Sequence, residues 1–509
     1  MLEDDIDCAI GYILTNGVVA NSPSGSAFSV RIRMNRVLML ELNELTPALV
    51  DRFMKRGQLP NFSRLHDQSA VYLTETNATG LDLNPWVQWV SVHTGREFDD
   101  HKVFLLGEGH KADVRTIADE VSAAGLCVGV FGSMNIPWKA PANGFVFPDA
   151  WASQVKAYPE SLEPFRKFVQ SNVQEHTNPE FSQSGKDIWN LVRFLAANGL
   201  SANTALAIVV QLVRERLDGS RWKRSFILDR LQWDIFRAAY RRYKPHFATF
   251  FSNSVAHAQH THWREFEPDS FSLKPSDSEI SRYKDVIPTA YRKNDEIIGK
   301  ALDLVDDDTV IIFCTALSQQ PATRWDSSGG KTFYRPRNIE QFCRFAGAKG
   351  SFESRPVMAE EFWINPDESQ SKEEIADLFR AVTCDGRQLL KVNARDDGVY
   401  TGCVIYDHVP DNAVVRASDG RTAVASDLLY RSEDVKSGMH DNKGLLWIST
   451  PNDRKHSSHS VNPVPLEAIA PTVLQILNVP IPSYMGTPPL SDVIEKCSSS
   501  GVGIEHRAA

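Results

Sequence analysis

Three histidines fall close together in FSNSVAHAQHTHWREF, residues 251–266: His257, His260 and His262, in a chain with only 14 histidines. Imidazole is a metal ligand or a proton shuttle near neutral pH. Trp263 and Arg264 follow directly, an aromatic face and a guanidinium suited to an anion. A further histidine, His440, lies in GMHDNKGLLWISTP, residues 438–451. A second polar group, Glu41, Asn43 and Glu44, ends the apolar run VLMLELNEL, residues 37–45. Carboxylates bind hard or borderline cations, whereas a neutral Asn is a poorer ligand and a better hydrogen-bonding group. A Glu at that position also suits the N-terminus of a following helix. In LDLNPWVQWVSVHTGREFDDH, residues 81–101, Trp86, Gln88 and Trp89 offer aromatic and amide groups of the kind that hold sugars or bases, or that pack a core helix.

Apolar runs at 37–42, 127–131, 247–251, 309–313 and 445–449 read as strands, and helical patterns such as 49–65 alternate with them. This rhythm predicts an α/β fold, a mostly parallel central sheet with helices on both faces. The long helical stretch at about 158–243 reads as a helical insertion over one sheet edge. A second insertion, 319–437, carries a Gly-Ser turn, a helix at 372–382 and alternating strands at 388–392 and 399–406, and reads as a small α+β cap. The core is then 34–318 together with 438–493. Residues 1–33 are expected to form a mobile leader, with Met34 an alternative start just before the first strong strand, and 494–509 a flexible tail. In such sheets ligands bind beyond the carboxyl ends of the strands, where the polar groups above fall.

The 509 residues are 42% hydrophobic and 23% charged, with a formal net charge of −9. That balance suits a globular enzyme-sized chain and argues against a nucleic-acid footprint, which needs clustered Lys and Arg. The short basic run at 214–223 is read as a solvated helix face. Seven cysteines without a CxxC pair predict reduced, buried thiols and a cytoplasmic protein. The acidic start of the chain is unlike a secretory signal, and no apolar run is long enough for a membrane span.

The closing segment PLEAIAPTVLQILNVPIPSYMGTPPL, residues 465–490, resembles that of the alkaline phosphatase superfamily, specifically its type I phosphodiesterase and nucleotide pyrophosphatase branch. The resemblance runs over most of residues 36–493 and implies that superfamily's alkaline phosphatase-like fold. Its site motifs are recognisable in order and spacing but altered. Asn43-Glu44 stand at the family's Asp-Gly, and Pro85, beside Asn84, stands at the nucleophilic Thr or Ser. Ala256 stands at an Asp ligand, while His260, Trp263 and Arg264 keep their register. Thr315, Ala316, Leu317 and Ser318 stand at Ser-Asp-His-Gly, and His440 and Gly444 keep the final His and Gly. Of the six ligand positions for two metals, only His260 and His440 remain.

The resemblance therefore implies a phosphodiesterase- or phosphatase-like hydrolase or transferase acting on a phosphate ester or sugar-nucleotide, in a bacterial, carbohydrate-modifying setting. His260, His440, Asn43 and Glu41 are its candidate catalytic residues, and Trp86, Gln88, Trp263 and Arg264 its candidate substrate contacts. The usual two-metal centre is not expected. One divalent ion, zinc by ligand type, is the candidate cofactor, held by His260 and His440 with Glu41, Glu44 or another histidine. The open alternatives are a metal-free cleft in which the two histidines act as acid and base and Arg264 or Arg324 holds the anion, or an acid from the cap, Asp326 or Asp441, completing the site. The rival class is a catalytically silent protein that binds a phosphorylated ligand or a protein partner.

Overall fold

The structure is a computed structural model that describes residues 19–21, 27–29, 35–80, 82–137, 143–175, 185–218, 220–357, 359–433, 435–451, 458–460 and 462–498. The leader expected at 1–33 lies outside these residues, except for an antiparallel pair, Val19–Asn21 with Ala27–Ser29. The helix Ser491–Ser498 extends into the stretch expected as a tail, whose remainder lies outside the described residues.

The central sheet runs, in spatial order, Ser458–His459, Ala70–Glu75, Lys443–Ser449, Thr309–Cys314, Arg36–Leu42, Phe247–Ser252, Val128–Phe131 and Gly144–Phe147; Val464–Pro465 also pairs with Ala70–Glu75. Every neighbouring pair is parallel except those made by Lys443–Ser449, which is antiparallel to both partners. Both faces are buried, which is why the central strands read as unbroken apolar runs. Leu38, Leu40 and Leu42 pack on one face with Phe131, Phe250 and Phe313. Val37 and Met39 pack on the other with Val130, Phe251 and Ile312. The strands Ala70–Glu75, Gly144–Phe147, Ser458–His459 and Val464–Pro465 are not among those the sequence predicts.

The stretch expected as a helical insertion holds the helices Glu163–Glu175, Gly185–Ala197, Ala202–Asp218 and Arg224–Tyr243. The stretch expected as a cap holds an apolar cluster of its own, with Phe342, Phe362, Phe379, Leu390 and Val415 buried together. One of its two four-stranded sheets, Phe352–Pro356, Glu361–Pro366, Gly398–Cys403 and Leu390–Arg395, is antiparallel. Tyr400 donates to Glu108 at 2.6 Å and Lys111 pairs with Asp397 at 2.5 Å, joining cap to core. The cap's two ends meet in an antiparallel ladder of Ser318–Pro321 against Gly438–Asp441, which sets His440 opposite Gln319. Among the described residues Cys127, Cys314, Cys343, Cys384 and Cys403 are buried free thiols.

Candidate metal centre

Each segment singled out at a strand end contributes to one point beyond the carboxyl edge of the sheet. The strand Arg36–Leu42 continues into a turn in which the Asn43 amide donates to the Ser252 carbonyl at 2.9 Å and the Glu44 amide to Thr315 at 3.3 Å. Glu44 adopts the left-handed region, with φ 61°. A non-glycine residue there carries strain of about 1–3 kcal/mol, which the surroundings must offset. Gln259 does part of this, donating from its side-chain amide to the Glu44 carbonyl at 2.8 Å.

The Glu44 carboxylate is buried and held at both oxygens. Asn43 Nδ2 donates to Oε1 at 2.7 Å, and Gln319 Nε2 donates to Oε2. Asn43 is oriented in turn: its Oδ1 accepts from Trp89 Nε1 at 2.7 Å and its Nδ2 also donates to Asn253 Oδ1 at 2.8 Å. These bonds fix which side of Asn43 faces the acid.

His260 lies on the helix Ser254–Phe266, which begins directly after the strand Phe247–Ser252. His440 lies on Gly438–Asp441. Their Nδ1 atoms sit 2.9 Å from the Gly438 carbonyl and 2.8 Å from the Leu83 carbonyl, respectively. A carbonyl only accepts, so both rings carry a proton on Nδ1 and, when neutral, a lone pair on Nε2. Both Nε2 atoms face Glu44 Oε2, at 3.2 Å from His260 and 3.6 Å from His440. His440 Nε2 is buried without a hydrogen-bond partner. A Cβ at Gly438 would lie 2.2 Å from Gln319 Oε1 and 2.6 Å from the Gln259 carbonyl, so only glycine allows this approach.

Burial alone raises the Glu44 carboxyl, but the His440 and His260 imidazoles and hydrogen bonds from His260 and Gln319 outweigh it and hold the group at about 2. His440 is pushed down to about 4, chiefly by burial, with the charges of His260 and Lys436 acting the same way and Glu44 opposing them. At neutral pH the centre thus presents an ionised carboxylate to at least one neutral imidazole lone pair. The carboxylate and the His440 lone pair converge, with His260 Nε2 beside them, where a cation is the natural complement. The donor atoms of Glu44, His260 and His440 lie within 4.8 Å of one another, the one such group of three or more among the described residues. Backbone carbonyls on the outer ring nitrogens and amides on the carboxylate are the second layer that metal ligands use. The residues present therefore fit a divalent ion, and two imidazoles with one carboxylate suit zinc.

The other sequence candidates are placed as follows. Asn43 positions the acid. Glu41 lies two residues before Asn43 on the strand, fully buried, with Oε1 2.8 Å from His93 Nε2. Trp86 Nε1 donates to the Phe104 carbonyl at 2.9 Å, and Gln88 Nε2 to the Asp82 carbonyl at 3.0 Å. Trp263 Nε1 donates to Glu267 at 2.7 Å. Arg264 is buried beside Glu265, with its Nε unpartnered. Asp326 accepts from the amide of Ser272 at 2.7 Å, and Asp441 from that of Lys443 at 3.0 Å. Pro85, at the nucleophile position, is the buried first residue of the helix Pro85–Thr94. Ala316 and Leu317, at two ligand positions, are buried, with Ala316 also left-handed at φ 58°.

Sequence reasoning kept Glu44 as one ligand option among several and missed Gln319 and Gln259. The available signal was a Glu at a turn position where the motif carries Gly, because a bulky residue accepts a left-handed turn only when its side chain is needed there.

No family model and no curated protein matches the chain. Solved structures similar to it include the phosphonoacetate hydrolase of Sinorhizobium meliloti 1021 in complex with phosphonoacetate, at 11% identity over 91% of this chain and 100% of that one, TM-score 0.40. Murine ectonucleotide pyrophosphatase/phosphodiesterase 5 is similar at 9% identity over 90% of this chain and 99% of that one, TM-score 0.39. The alkaline phosphatase PafA is similar at 12% identity over 91% and 99%, TM-score 0.45. The chemistry of the centre rests on the chain's own residues, Glu44, His260 and His440.

Proposed function

We propose that the chain hydrolyses or transfers a phosphate ester, phosphodiester or sugar-nucleotide group at a centre that holds one divalent cation through Glu44, His260 and His440. The observation that carries this reading is the buried, unpartnered His440 Nε2 directed, with His260 Nε2, at a single oxygen of Glu44. The register of His260 and His440 with the phosphodiesterase motifs supplies the substrate class.

When bound, such an ion offers Lewis-acid stabilisation of a phosphoryl oxygen and a more acidic bound water. The protein's contribution is preorganisation. The Leu83 and Gly438 carbonyls hold the two rings in one tautomer and orientation, and Asn43 with Gln319 keeps both carboxylate oxygens in place. Lys436 acts electrostatically on His440 and adds positive charge near the centre, which suits an anionic substrate. Proline at the nucleophile position has no hydroxyl, so a phosphoryl intermediate does not form on residue 85.

The same Pro85 favours a second reading, a protein that binds a phosphorylated ligand without turning it over. The test is hydrolysis of p-nitrophenyl phosphate and bis(p-nitrophenyl) phosphate by zinc-loaded protein, repeated with His260→Ala and His440→Ala. The enzyme reading expects a fall in kcat/KM of about 100-fold or more in each variant with folding retained. Turnover unchanged in both variants contradicts it. Absence of turnover together with tight nucleotide-sugar binding selects the second reading.

A further inference from the structure

The helix Ala202–Asp218 is built inside out. Leu206, Val209, Val210, Val213 and Leu217 recur at three- and four-residue spacing and form one outward face, Leu206 being 63% and Leu217 83% exposed. The buried positions are polar: Thr204 and Gln211, the latter donating to the Ser220 carbonyl at 2.9 Å. An ordinary surface helix does the reverse. The preceding helix, Gly185–Ala197, exposes Ile188, Trp189 and Val192 at helical spacing, with Trp189 62% exposed. Isolated apolar residues on a surface need no explanation, but aligned faces on two consecutive helices mark a contact surface.

Charge indicates what covers it. Residues 185–244 hold twelve Lys and Arg against five Asp and Glu, net +7, in a chain whose formal net charge is −9. Arg193, Arg214, Arg216 and Arg221 are exposed, on or directly after the two helices that carry the apolar faces. Two copies of the chain meeting through this surface would bring like charges together. A basic rim around an exposed apolar helix face complements an anionic bilayer surface, with the apolar side chains in the headgroup–acyl boundary and the arginines among the phosphates.

We propose that this helical insertion docks the protein onto anionic lipid membranes, lying in the interface without crossing it. No described helix is long and apolar enough to span, which is consistent with a surface attachment. The proposal is independent of the metal centre, which lies on other segments of the chain.

The test is co-sedimentation of the full chain with vesicles of phosphatidylglycerol and phosphatidylcholine in equal parts, and with vesicles of phosphatidylcholine alone. The protein is expected to bind the anionic vesicles and to be released by 0.5 M NaCl, with partitioning reduced about tenfold or more in Leu206→Glu/Val213→Glu/Leu217→Glu. These side chains are exposed, so the variant keeps the wild-type melting temperature, and Arg214→Gln/Arg216→Gln/Arg221→Gln checks the charge contribution separately. Failure of the wild type to bind anionic vesicles overturns the proposal, as does equal binding by the apolar-face variant. A lipid-free dimer that the same variant converts to monomer, with no vesicle binding, assigns the face to a second copy instead.

Discussion

His260 and His440, on different elements of the chain, stand with ring centroids 5.1 Å apart and planes inclined at 75°. Each ring spends its Nδ1 proton on a backbone carbonyl, so the pair is held edge to face with both Nε2 atoms on the Glu44 side. With both rings neutral, their Nε2 lone pairs and the ionised carboxylate repel one another unless a positive charge lies among them.

The two glutamates at the end of the first strand are expected to separate by function. Glu44→Ala removes a ligand and should abolish stoichiometric zinc binding. Glu41→Ala removes the carboxylate that lies 2.8 Å from His93 Nε2 in a fully buried setting and should cost about 3 kcal/mol or more of stability, read by urea denaturation, while zinc content stays at the wild-type level. Loss of zinc in Glu41→Ala would place Glu41 in the centre after all.

Trp89 tests the supporting layer. Trp89→Phe leaves Asn43 Oδ1 without the donor it has at 2.7 Å. The expected cost is about 1–3 kcal/mol from the orphaned buried acceptor, with zinc affinity weakened about 10- to 100-fold in a competitive chelator titration. Unchanged affinity would show that Asn43 needs no external support.

Most of the fold was legible because its central strands are buried on both faces, and continuous runs such as 309–314 admit few other readings. Two of the four central strands that the sequence did not reveal have clear physical causes. Ala70–Glu75 follows a short helix without a marked turn signal and exposes Leu73, and Gly144–Phe147 is only four residues long. The centre was legible as far as His260 and His440, whose register survives. Glu41 and Asn43 were grouped because they share a face of the strand, yet the structure gives them different partners, His93 and Glu44. Gln319 was invisible because its role depends on the ladder between two strands separated by the whole cap. The polar ends of Trp86 and Trp263 are committed to protein acceptors, which aromatic composition cannot reveal.

A pH prediction concerns His101, away from the centre. Its Nδ1 accepts from the Val103 amide at 3.1 Å, so the neutral ring carries its proton on Nε2, 3.2 Å from Ser91 Oγ. Protonation at Nδ1 would set two donors against each other. Burial, chiefly, with Arg96 and Lys102 adding to it, pushes its pKa from the ordinary 6.5 down to about 4. Between those values the unfolded chain binds a proton that the folded one does not, so stability falls as pH is lowered from 6.5 towards 4. Relative to His101→Gln, the wild type should lose about 2–3 kcal/mol between pH 7 and pH 4.5 in denaturant titrations. Parallel pH profiles for the two proteins would contradict this.

The central claim is most directly tested by the metal content of the purified, zinc-equilibrated protein, measured by elemental mass spectrometry beside Glu44→Ala and His260→Ala/His440→Ala. The account predicts one ion per chain in the wild type and none in either variant. Two ions per chain, or one ion that survives in the variants, would contradict a single centre built on Glu44, His260 and His440, and so would a wild type that retains none.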